Sequence, residues 1–111
     1  MEIQMDKNGT INIIAVIGNL DSNTAGDLEK QLIPQIDAGE TQFVLDFKKL
    51  DYISSAGLRV LLHAAKKLNQ IDGQVVLCNV KNEVQEVFEI AGLSPIFPIF
   101  QDQDAARANF Y

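Results

Sequence analysis

The sequence predicts an α/β fold, a single domain over residues 1–111 with a mixed five-stranded sheet and about four helices mainly on one face. Three observations carry this. Apolar, β-branched runs alternate with segments whose apolar residues recur every three or four positions, the pattern of parallel strands joined by right-handed crossover helices. An Asn-Gly turn separates the first two strand-like stretches, so the sheet opens with an antiparallel hairpin and is mixed. At 111 residues the chain suits one domain and leaves no room for a second.

Residues 2–6 form a short, weak strand candidate, and Lys7-Asn8-Gly9 supplies the turn. Thr10–Ile17 reads as a strong strand, with Gly18-Asn19 as its end. Asp21, Ser22, Asn23 and Thr24 offer successive N-caps for a helix carrying Ala25, Leu28, Leu32 and Ile36 on one face. Pro34 removes a backbone donor and crowds the Lys30 carbonyl, which predicts a kink or an early end. Gln42–Phe47 is the next strand, followed by a short polar loop. A second helix starts at Ser54-Ser55, buries Leu58, Leu61, Leu62, Ala65 and Leu68, and ends at Asp72-Gly73. Gln74–Val80 is a third strong strand. Val84, Val87, Phe88 and Ala91 mark a third helix, closed by Gly92. Two prolines confine Ile96–Phe100 to a sheet edge. Asp102 or Asp104 caps a short last helix.

Composition narrows the function. Hydrophobic residues make up 47% of the chain, enough for an ordinary core, and the formal net charge is −6. An acidic surface disfavours nucleic acid and anionic membranes as main partners. One cysteine, Cys78, permits no internal disulfide. With no basic leader and no run of apolar length for a membrane span, the expected location is the cytoplasm, without membrane insertion.

The inventory for catalysis is thin, and no enzyme is expected. His63 is the only histidine and shares the polar side of the second helix with Arg59, Lys66 and Lys67. That stripe reads as a solvated face able to meet an acidic partner. One histidine and one cysteine do not make a transition-metal site. No glycine-rich phosphate loop is present. Asp46, inside an apolar strand, reads as a group bonding local backbone where the strand ends, with an aspartyl-phosphate acceptor as the alternative.

Ser54 and Ser55 hold the most information. A serine at a helix start caps an unpaired N–H. A phosphate is also favoured there, beside free N–H groups and the positive end of the helix dipole. Two adjacent hydroxyls allow one to cap while the other faces solvent. Ala56 and Gly57 are small and leave room for another protein to approach. Asp21 begins the first helix, so the two helix starts are expected at one end of the sheet.

The segments Asn19–Ala25, Phe43–Phe47 and Leu50–Leu58 together resemble the STAS domains, and more narrowly the bacterial anti-sigma factor antagonists. The resemblance implies a partner switch. The unmodified antagonist binds an anti-sigma factor that is also a serine kinase, and the sigma factor is freed. The kinase supplies ATP and magnesium and phosphorylates the antagonist, which lets go, and a serine phosphatase resets it. The antagonist itself takes no cofactor. Matched by position, the accepting serine falls on Ser55, with Ser54 as a second candidate. Asp21, Ser22, Asn23, Thr24, Ser54, Ala56, Gly57 and Arg59 form the expected partner surface. The alternative is a STAS scaffold that is never phosphorylated, a subunit of a signalling or lipid-transport assembly.

Overall fold

A computed structural model describes residues 1–111. The elements run β1 (Glu2–Asn8), β2 (Ile11–Leu20), α1 (Ala25–Asp37), β3 (Gln42–Asp46), β4 (Leu50–Ile53), α2 (Ser55–Gln70), β5 (Gln74–Cys78), α3 (Asn82–Ile90), β6 (Ile99–Phe100) and α4 (Gln103–Ala108). The sheet order is β1-β2-β3-β5-β6, with β4 paired to β2. Only β1 and β2 are antiparallel, joined through Gly9 at φ 63°, which is the expected hairpin. Every other pair is parallel.

The sheet has six strands, one more than the sequence predicts. The extra one, β4, occupies the stretch read as a polar loop. It exists because β2 does not stop at Gly18-Asn19. Gly18 takes φ 101°, the register shifts there, and β2 continues to Leu20. Beyond the shift it pairs with β4, Asn19 opposite Tyr52 and Leu20 opposite Ile53.

Alternation along the strands sorts the helices into layers. Ile14, Val16, Phe43, Leu45, Val75 and Leu77 face a core completed by α1, α2 and α3. Fully burying side chains such as Leu28, Leu61 and Phe88 contributes about 1.5–3 kcal/mol each, and these three are 0% exposed. Ile13, Val44, Val76 and Cys78 point the other way and are covered by Ala106 of α4. Three helices therefore share one face and the short fourth lies on the other.

Helix α1 runs through Pro34 to Asp37, so the expected early end does not occur. Pro34 is exposed and sits in the last turn, where its carbonyl still accepts the Ala38 N–H at 3.0 Å. Strand β5 stops at Cys78, two residues early, because Asn79 turns left-handed at φ 55°.

Candidate functional site

Parallel pairing of β2 with β4 brings two turns together. The Ser54 N–H donates to the Leu20 carbonyl at 2.9 Å, so the turn beginning at Asp21 and the start of α2 leave the sheet side by side. Both helix starts lie at the same end, as the sequence suggests.

The two serines divide the roles. Ser54 is extended at φ −101° and ψ 174°, and its Oγ accepts the Gly57 N–H at 3.4 Å. Its carbonyl takes the Leu58 N–H at 3.0 Å. Ser54 is thus the cap, half-buried and engaged through backbone and side chain. Ser55 opens the helix itself, is exposed, and its hydroxyl makes no hydrogen bond.

Gly57 is not surface. A Cβ there would lie 2.8 Å from Leu20 Cγ, 2.9 Å from the Leu20 carbonyl oxygen and 3.0 Å from Ile53 Cγ1. The backbone oxygen cannot swing aside, so glycine lets the first turn of α2 seat on β2 and β4. The expectation that Gly57 makes room for a partner is corrected: its smallness serves contact within the chain. Ala56 is half-buried and packs against the core.

Asp21 is half-buried and shapes its own turn. Its Oδ1 accepts the Asn23 N–H at 2.9 Å, an Asx turn. Thr24 stands at the N-cap position of α1 without capping it. Its hydroxyl instead accepts the Asp21 N–H at 2.9 Å and donates to the Asn19 carbonyl at 2.8 Å. Ser22 and Asn23 are exposed at the tip.

Of the basic stripe on α2, only part is free. His63 Nδ1 lies 3.4 Å from Glu29, and Lys67 Nζ lies 2.7 Å from Asp37, both on α1. Arg59 and Lys66 are exposed and in no ion pair. The stripe available to a partner is therefore narrower than the sequence implies, and Arg59 is the member nearest Ser55.

One residue at this end escaped the sequence reading. Tyr52 is 53% exposed, two positions before Ser54 and beside Asn19. The signal for it was the spacing of Leu50 and Ile53, both buried, around two outward residues.

Asp46 lies elsewhere and is closed. Its Oδ1 accepts the Lys48 N–H at 3.0 Å and Asn79 Nδ2 at 3.1 Å, and its Oδ2 accepts Gln103 Nε2 at 2.7 Å. Three donors on an 8% exposed side chain make a structural tie at the strand end, as expected, with two side-chain partners added. Beside it, burial first, then Asp46 and Asp102, pushes the Cys78 thiol up to about 12.

A mixed α/β sheet, with paired turns exposing a free serine hydroxyl and a free arginine, defines a small domain whose chemistry lies on one end of its surface. The chain belongs to the STAS domain family, whose profile matches residues 2–106. It is 48% identical over 110 residues to BtrV, a candidate anti-sigma factor antagonist of Bordetella bronchiseptica, covering 99% of this chain and 95% of that protein. Its fold is shared with a candidate anti-sigma factor antagonist from Thermotoga maritima, at TM-score 0.92 and 18% identity, covering 96% of this chain and 92% of the other. The phosphorylated form of SpoIIAA, the Bacillus cell fate determinant, also shares it, at TM-score 0.78 and 21% identity, covering 97% and 99%.

Proposed function

We propose that the protein is an anti-sigma factor antagonist that works as a phosphorylation-controlled partner switch. The observation that carries the reading is the division between the two serines: Ser54 holds the helix, while Ser55 presents an unbonded hydroxyl to solvent. The likeness to BtrV over nearly the whole of both chains supports the same reading.

In this scheme the unmodified protein binds an anti-sigma factor, also a serine kinase, through Asp21, Ser22, Asn23, Ser55, Arg59 and the neighbouring Tyr52. Binding releases a sigma factor. The kinase brings ATP and magnesium, and this chain contributes only the acceptor. A bond forms between Ser55 Oγ and the γ-phosphorus as the bond to the leaving ADP oxygen breaks. The hydroxyl proton passes to a base of the kinase. The phosphate adds roughly 1.5–2 negative charges. Within a protein interface that charge must be desolvated or paired, and the complex weakens. A serine phosphatase restores the binding form.

The test is phosphopeptide mass spectrometry on protein from its own cells, wild type beside Ser55→Ala, with a pull-down by the mutant. Phosphate on Ser55 that vanishes in the mutant, with a kinase retained by the mutant, supports the switch. Absence of phosphate under every growth condition would replace it with the constitutive scaffold.

A further inference from the structure

Arg59 stands one helical turn after Ser55, at i+4, and both are exposed. Residues at this spacing are neighbours on a helix surface, with Cβ atoms about 5–6 Å apart. The Ser55 hydroxyl has no bond and the Arg59 guanidinium has no ion pair, so nothing competes for either group. Arg59 is four residues before His63, whose ring faces Glu29 on α1. Lys81, near the site on the side of α3, is held by Asp51 at 2.5 Å. Asp21, across the paired turns, carries the same sign as a phosphate.

We propose that Arg59 is an internal phosphate clamp: a phosphate on Ser55 is paired by the Arg59 guanidinium of the same helix. The inference rests on Ser55 being the acceptor. Its consequence is a switch with two coupled effects. Phosphorylation places negative charge on the partner face, and it also withdraws the free cation of that face. In the unmodified protein Arg59 is available to an acidic group of the partner; in the phosphorylated protein it is occupied from within. The order of the pair, anion nearer the helix N-terminus and cation one turn later, is the favourable one for the helix dipole. A planar guanidinium can meet two phosphate oxygens at once, which lysine cannot.

The experiment uses full-length protein with phosphoserine installed at position 55 during synthesis, so no kinase is required. The second ionisation of the phosphate is followed by phosphorus NMR in wild type, Arg59→Gln and Lys66→Gln. Lys66 is also exposed and in no ion pair, but lies eleven residues beyond Ser55, about three turns further along α2. Pairing holds the phosphate in its dianionic form, so its transition in wild type should lie below that of Arg59→Gln by about half to one unit, a roughly three- to tenfold change in proton affinity. Lys66→Gln should match wild type. Coincident curves for wild type and Arg59→Gln would overturn the clamp, and so would equal shifts in both variants, which would reduce the effect to net charge. If cells never phosphorylate Ser55, the phosphorylation switch fails while this titration still reports whether the pairing exists.

Discussion

Two neighbouring serines can be told apart by what their hydroxyls do, and stability should follow. Ser54→Ala removes the side-chain acceptor for the Gly57 N–H and is expected to cost about 0.5–2 kcal/mol. Ser55→Ala removes a hydroxyl that bonds nothing, and should change stability by no more than about 0.5 kcal/mol. Urea unfolding of the two variants checks this, and equal losses would contradict the division. Cys78 makes a second prediction at this scale. The folded protein keeps the thiol proton up to about pH 12, whereas the exposed thiol releases it near 9.0. In that window the unfolded chain binds fewer protons, so stability falls as pH rises. The contribution is complete below 9.0 and is lost progressively towards 12. Unfolding free energies for wild type and Cys78→Ala should therefore converge at alkaline pH; parallel pH profiles would exclude the thiol as the source.

Elements differ in how plainly the chain announces them. Strong strands such as β3 and β5 were legible because unbroken apolar runs, Phe43–Leu45 and Val75–Cys78, need burial on both faces. Helices α1 and α2 were legible from periodicity, and α2 also from its Ser54 cap. Strand β4 was not, because its four residues bury only their ends, and its reason to be a strand is the bulge at Gly18 in a distant element. The buried role of Gly57 was hidden for the same reason, since its neighbour Leu20 lies far off in sequence. The placement of Ser55 beside Asp21 was legible, because parallel strands deliver both helix starts to one end. Helix α4 is legible as a short helix capped by Asp102, yet its docking depends on a contact no periodicity encodes. Gln103 donates to Asp46 Oδ2, the only donor that oxygen has. Gln103→Ala is therefore expected to destabilise the protein by about 1–3 kcal/mol through the unsatisfied carboxylate oxygen. It should also loosen α4, whose Ala106 packs in the cluster holding Cys78, so a thiol reagent should label Cys78 faster. An unchanged labelling rate would mean that Ala106, the Asp102 cap and the Asn109–Gln74 bond hold α4 without Gln103.

For the whole molecule, the arrangement separates folding from signalling. The core of this chain is complete without the switch face: its buried residues come from the sheet and the inner sides of α1, α2 and α3, whereas Ser55 and Arg59 are exposed. The structural duties at the start of α2 fall on Ser54 and Gly57 instead. A negative charge at Ser55 thus meets no buried group, and the helix dipole favours it there. Ser55→Asp should accordingly leave the unfolding free energy within about 0.5 kcal/mol of wild type, which for a chain of this size is a melting-temperature change of roughly 2–4 °C. Its affinity for the anti-sigma partner should fall at least tenfold, because the added carboxylate must be desolvated in the interface and competes with the partner for Arg59. Paired thermal-melt and binding measurements on the same preparation test the separation directly. A melting temperature that drops together with affinity would show that the charge acts by loosening α2, and the switch would then be a folding transition. Stable protein with lost affinity is what a surface switch on a finished core requires.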